Sequence, residues 1–287
     1  MNRIVLGGAQ LGLPYGILNS GETLSREEVA RILDTAIAFG VDSIDTAIAY
    51  GQSESVIGET AQNRFNIISK LPPLPSEVSN VSEWVHMQVD ASLARLKCTS
   101  LDALLLHRPQ DLTGRYGSEL YAAISSLKIK KIIQRFGISI YAPDELEVII
   151  RKFDIDVVQA PLNVFDRRIL GVIDQLAARN IEVHVRSVFL QGVLIANPED
   201  RPQRFNPWAD HFARFDNWVL SSGTSAMACC LGFALQQPGI TKLVIGTTSA
   251  ASLTEIMTSV PNHHLEVPAD LQSSDEQLID PRVWSVA

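Results

Sequence analysis

The sequence predicts a single (β/α)8 TIM barrel over residues 1–287, on three observations. Short apolar runs rich in β-branched residues alternate with helical patterns throughout, and eight such runs can be counted. Most are continuously apolar rather than alternating, which is how strands buried on both faces of a parallel sheet read. The length of 287 residues fits one barrel, a fold that runs to roughly 250 residues as one domain.

The strands in order are IVLGG near residue 4, VDSIDT ending at Thr46, FNIISK ending at Lys70 and LDALLLH ending at His107. RFGIS ending at Ser139, DVVQA ending at Ala160, IEVHVRS ending at Ser187 and KLVIG ending at Gly246 complete the set. Between the first two strands, Ser25 and Glu28 form an S-x-x-E capping box. Val29, Ile32, Leu33, Ala36 and Ile37 then make one apolar stripe, and Gly40 ends the helix. A second helix carries Val85, Val89, Leu93 and Leu96, and a third carries Leu120, Ile124 and Leu127. Further helical patterns follow Asp166, surround Met227 to Leu235, and follow Ser249. A Rossmann reading of Gly7, Gly8 and Gly12 fails, because Ala9 stands where its fingerprint needs glycine and GLPYGILNSG reads as loop.

Hydrophobic residues at 46% and charged residues at 20% supply a large core and too little charge for disorder. The formal charge of −8 argues against electrostatic capture of nucleic acid or an anionic membrane. Cys98, Cys229 and Cys230 offer neither a disulfide framework nor a zinc site. The start has no apolar signal region, and no apolar run reaches membrane-span length, so a cytoplasmic protein is expected.

In a barrel, residues just past the C-terminal ends of strands line the active site. Asp45, Tyr50, Lys70 and His107 fall there after three successive strands. An acid, a phenol, an amine and an imidazole at one mouth are a poor coincidence in otherwise apolar strands. With these residues in DTAIAYGQSESVIGE, the strand ending in Lys70 and SLARLKCTSLDALLLHRP, the chain resembles the aldo-keto reductase superfamily. GGAQLG, GIS at Gly137, VVQAPLNVFDRR, SVFLQGVL and LQQPGITKLVIGTTSAASLTE extend the resemblance over essentially the whole length.

The resemblance implies hydride transfer between a nicotinamide cofactor and an aldehyde, ketone or sugar. Tyr50 would be the general acid, since negative charge builds on the carbonyl oxygen as hydride arrives. Lys70 would stabilise the phenolate, Asp45 would orient Lys70, and His107 would donate a hydrogen bond as a neutral imidazole. Ser139 and Gln159 would hold the nicotinamide carboxamide. Arg186 stands where an aromatic often stacks on the nicotinamide ring. Ser187 and the LQG turn at Gln191 would line the pyrophosphate, with Phe189 also cofactor-binding. Thr247, Thr248 and Ser249 would receive phosphate at a helix start, and Glu255 would contact adenine. NADPH is the expected cofactor, with NAD the second candidate, and no metal is expected.

The chain departs from that family's pattern in four places. Ile140 replaces the usual carboxamide-binding asparagine, and Arg186 replaces the stacking aromatic. GTTSAASLTEI has no basic residue for a 2′-phosphate, so preference for NADPH over NADH should be about tenfold or less. Lys242 and Arg282 are the distant cations that would change this expectation. The N-terminal hairpin that plugs the barrel is expected to be short or absent. Phe205, Trp208, Phe212, Phe215 and Trp218 either cover the substrate or pack beneath their loop. Two other functions compete: a cofactor-sensing regulatory or assembly subunit with slow or no turnover, and a barrel lyase or epimerase. The oligomeric state is left open.

Overall fold

The protein is described from a computed structural model covering residues 3–18, 21–261 and 263–284. Eight parallel strands close a barrel in chain order. They are β1 (Ile4–Gly7), β2 (Ser43–Asp45), β3 (Asn66–Leu71), β4 (Leu101–Leu106), β5 (Ile133–Ser139), β6 (Val157–Pro161), β7 (Glu182–Arg186) and β8 (Ile240–Gly246). β1 pairs with both β2 and β8, so no edge remains open.

Eleven helices accompany them among the described residues. α1 (Ala9–Gly12), α2 (Arg26–Ala38), α3 (Ser53–Thr60), α4 (Val81–Leu96), α5 (Gly117–Ile129) and α6 (Glu147–Lys152) fill the first half. α7 (Ile173–Ala177), α8 (Ala209–Ser222), α9 (Ala226–Gln236), α10 (Ala250–Thr258) and α11 (Glu276–Ile279) fill the second. A helix does follow β1 at once, contrary to the loop expected there, but it is a single turn. Gly40 adopts φ +74° just beyond α2, the left-handed stop its position predicted.

The core has two parts. The larger lies between strands and helices, where α2 buries Val29, Ile32, Leu33 and Ala36. The smaller fills the barrel interior with Val5, Ile68, Ala103, Leu105 and Val157, with Val244 against them. Side chains alternate across a strand, so this inner set fixes what points inward one layer higher. Lys70 follows Ile68 by two, His107 follows Leu105 by two, and Gln159 follows Val157 by two. Three of the apolar floor positions, Ile68, Leu105 and Val157, thus carry a polar group above them at the C-terminal mouth.

The irregular stretch after β7 contains short 3-10 turns at Pro198–Asp200 and Gln203–Trp208, leading into α8. Its aromatics pack inward: Phe205, Phe212, Phe215 and Trp218 are buried, and ring contacts join them to Phe165 and Trp284. None of the five lines the cavity at the mouth. No single helix among the described residues is long and apolar enough to cross a membrane.

Candidate active site

Asp45 and Lys70 are almost wholly buried, at 3% and 1% exposure. Lys70 Nζ donates to Asp45 Oδ1 at 2.5 Å and to the Thr46 carbonyl at 2.8 Å. The second Asp45 oxygen accepts from Gln159 Nε2 at 2.7 Å, across the barrel from β6. A buried ion pair holds best where its remaining hydrogen-bonding capacity is met, and these contacts engage both Asp45 oxygens and two of the three Lys70 N–H donors. Lys70 Nζ lies 5.1 Å from the centre of the Tyr50 ring. The Tyr50 and His107 rings meet edge to face, with centroids 5.6 Å apart. The four residues expected at the mouth therefore do converge.

Burial, reinforced by Lys70 and then Arg186, pushes the His107 imidazole down from its ordinary 6.5 to about 4. It is neutral at neutral pH and retains one N–H donor.

Tyr50 is placed by a layer that the sequence reading did not single out. A Cβ on Gly12 would come 2.0 Å from Ser53 N and 2.6 Å from the Tyr50 carbonyl. Only glycine lets α1 approach the Tyr50 turn this closely. The Gln52 N–H donates to the Gly12 carbonyl at 3.3 Å, and Gly51 adopts φ +55°. Behind the turn, Ser53 Oγ donates to the Gly8 carbonyl at 2.7 Å and lies 2.8 Å from Thr46 Oγ1. Glu54, buried at 2%, accepts from Ser69, Ser92 and Arg95, which ties α3 to β3 and α4. The apolar periodicity used to find helices passed over α3, because SESVIGET has few apolar residues.

A cavity of about 300 Å3 opens beside this group. Asp45 and Tyr50 line one part of it, and Thr247, Thr248, Ser252 and Ile256 line another, at the start of α10. Arg186, Ser187, Phe189 and Gln191 also face it. Ser187 and Gln191 take φ values of +62° and +54°, so the loop after β7 is strained where it forms the wall. Gln191 Oε1 accepts from the Ile17 N–H at 3.0 Å, fastening the segment after α1 to that loop.

The remaining expected cofactor residues sit differently. Ser139 and Gln159 lie below the cavity wall, with Ser139 Oγ 3.4 Å from Gln159 Oε1 and the Gln159 amide donated to Asp45. Ser249 caps α10 by accepting from the Ser252 N–H at 3.0 Å, and it does not line the cavity. Glu255 is exposed on the same helix, outside the cavity lining. The Ile140 side chain is buried in the outer core. Lys242 pairs with Asp42 at 3.7 Å and Arg282 with Asp280 at 2.6 Å, so both distant cations are already engaged.

The Ser25–Glu28 box is only half formed. Ser25 Oγ accepts from the Glu28 N–H at 3.2 Å, but the Glu28 carboxylate reaches across to α10 instead. Its Oε1 accepts from the Ala250 N–H at 2.8 Å, which holds the carboxyl below the usual range.

The family described as Aldo/keto reductase matches residues 3–267. The chain belongs to the aldo/keto reductase family. An uncharacterized oxidoreductase, YqkF, of Bacillus subtilis is 24% identical over 251 residues, covering 80% of this chain and 81% of the relative. The D-arabinose 1-dehydrogenase of Saccharomyces cerevisiae is 31% identical over 150 residues, covering 49% of this chain and 43% of that enzyme. Among solved structures, the holo form of an aldo-keto reductase from Bacillus halodurans superposes with TM-score 0.72 at 18% identity, covering 92% of this chain and 88% of the other. An aldo/keto reductase from Klebsiella pneumoniae in complex with NADP and acetate gives TM-score 0.68 at 19% identity, covering 92% and 87%. At such identities these two likenesses concern the barrel.

Proposed function

We propose that this aldo/keto reductase family member is an NADP(H)-dependent oxidoreductase that reduces the carbonyl of an aldehyde, ketone or sugar, or oxidises the matching alcohol. The observation that carries the proposal is the convergence of Lys70 and His107 on Tyr50 and Asp45, the two of the four that line the cavity. The cavity's donor set also suits a dinucleotide: the hydroxyls of Ser187, Thr247 and Thr248 and the N-terminal end of α10 face it. Relatives named for sugar chemistry, the D-arabinose 1-dehydrogenase and a 6-dehydroglucose reductase of Novosphingobium aromaticivorans that is 29% identical over 138 residues, support the substrate class.

In this reading the bound cofactor supplies the hydride. Tyr50 delivers a proton to the carbonyl oxygen as charge develops there. Lys70 offsets the charge left on the phenolate, and Asp45 with the Thr46 carbonyl keeps the ammonium aimed at the ring. His107 donates a hydrogen bond from its N–H to the same oxygen and, as a neutral imidazole, serves as a donor rather than as the acid. Gln159 and Ser139 serve as supports for Asp45. Gln159 uses one of its two amide N–H donors on Asp45.

Tyr50→Phe tests the proposal, because it removes a proton donor and little else. Carbonyl reduction should fall by about 10²–10⁴-fold, the usual worth of a positioned acid, with the NADPH dissociation constant nearly unchanged. Near-parental reduction by that variant would remove Tyr50 as the acid. Failure of the parent protein to bind NADPH or NADH would remove the oxidoreductase reading itself.

A further inference from the structure

Among the described residues, two charged side chains line the cavity, Asp45 and Arg186. Asp45 is neutralised by Lys70. Arg186, at the end of β7, is held among the described residues by neutral groups: Nη2 donates to the Ile140 carbonyl at 3.1 Å and Nη1 to Ser187 Oγ at 3.4 Å. Its Cζ lies 4.2 Å from the centre of the Tyr141 ring, and the Arg282 Cζ lies 3.9 Å from the same ring. Arg282 is in turn clamped by Asp280, so the platform beneath Arg186 is itself fixed. No carboxylate of the described residues pairs with Arg186, although arginines 95, 108, 135, 168, 201 and 282 all have one.

A guanidinium has five donors in a rigid fork, and two are used here. A positioned, half-buried cation without a counter-charge, facing a cavity, is a receptor for an anion. Its place relative to the reacting groups indicates whose anion. Burial pushes the Tyr15 phenol up and Arg186 opposes that shift, while His107 is pushed down partly by Arg186. The geometry agrees: Nη2 reaches from the end of β7 to the Ile140 carbonyl just past β5, away from β8 and toward the side of the mouth where His107 follows β4. Thr247, Thr248 and Ser252 instead furnish the phosphate-suited wall after β8 without a cation.

We infer that Arg186 binds a carboxylate on the substrate, and that the substrate is a carbonyl compound bearing an acid group, such as an aldehyde acid, an oxo acid or a sugar acid. The inference rests on the oxidoreductase reading above and goes beyond it in naming what the reacting carbonyl is attached to. The other anion within reach of the same fork is the pyrophosphate of the dinucleotide, and the test separates the two.

Succinic semialdehyde and butanal differ by the carboxylate in place of a methyl group, so the ratio of their kcat/KM values reports on the acid group and cancels any effect on the cofactor. The parent should favour succinic semialdehyde. Arg186→Met should lower that ratio by about ten- to hundredfold, the worth of one charge-assisted contact, and Arg186→Lys should restore part of it. An unchanged ratio in Arg186→Met overturns the inference, and a weakened NADPH dissociation constant beside it assigns the cation to the cofactor. Benzoate binding gives a readout that needs no turnover: the parent should bind it at least tenfold more tightly than Arg186→Met. Equal binding overturns the inference. If the parent reduces neither aldehyde, benzoate binding alone decides the role of Arg186, while failure to bind NADPH or NADH is what removes the oxidoreductase reading.

Discussion

Glu28 shows how one side chain changes a prediction made from its surroundings. The α10 segment lacks a cation for a 2′-phosphate, and that alone limits selectivity for NADPH. The carboxylate of Glu28 on the Ala250 N–H adds a negative charge at the helix terminus that would attract phosphate. Arg31 pairs with the same carboxylate and offsets part of its charge. Glu28→Gln keeps an acceptor for the N–H and removes the charge. It should tighten NADPH by about two- to fivefold relative to NADH, since such terminal charges contribute roughly 0.3–1 kcal/mol. Parallel titrations with both dinucleotides measure it; an unchanged ratio would place the 2′-phosphate away from Glu28. The sequence could not disclose this contact. S-x-x-E is satisfied locally by a reciprocal cap, and a partner 222 residues away leaves no mark on local spacing.

At the scale of elements, legibility followed the type of burial. All eight strands could be read because interior strands of a barrel must be apolar on both faces, so that IVLG or LDALLL has few other readings. The polar residues that end them stood out against that background, which is why Asp45, Lys70 and His107 could be named. α3 and α6 could not be found the same way. α3 is held by the buried Glu54 network rather than by an apolar stripe, and α6 is only six residues long. The close approach of α1 to α3 was likewise hidden, because Gly12 acts through the side chain it lacks. Gly12→Ala tests that approach. The added methyl must displace the Ser53 backbone or α1, a strain of about 1–3 kcal/mol. Since misplacing a catalytic group by an ångström costs roughly a hundredfold, kcat should drop ten- to hundredfold together with the melting temperature. A variant with parental kcat and parental melting temperature would show that the Tyr50 turn does not depend on this contact.

For the whole molecule, the sign of the buried titrations predicts acid lability that begins well above the carboxylate range. His107 is pushed from 6.5 to about 4 by burial, then by Lys70 and Arg186. The unfolded chain therefore binds a proton at that site that the folded chain does not, between those two values. The contribution of neutral His107 is complete above 6.5 and is lost as pH falls toward 4, by about 2 kcal/mol at pH 5. His211, lowered mainly by burial, acts in the same sense. Glu182, held near 2 mainly by its hydrogen bond from His184, adds its loss only below the ordinary carboxylate value of 4.5. Against these stands the formal charge of −8, whose self-repulsion eases as acids protonate. Few carboxylates titrate between pH 6.5 and 5, and salt screens their repulsion, so the histidine contribution prevails in that window. The melting temperature should accordingly fall between pH 7 and pH 5 at constant ionic strength, and His107→Gln should flatten the slope. A His107 ring resonance that titrates near 6.5 would show that the imidazole is solvated and would remove this source of acid lability.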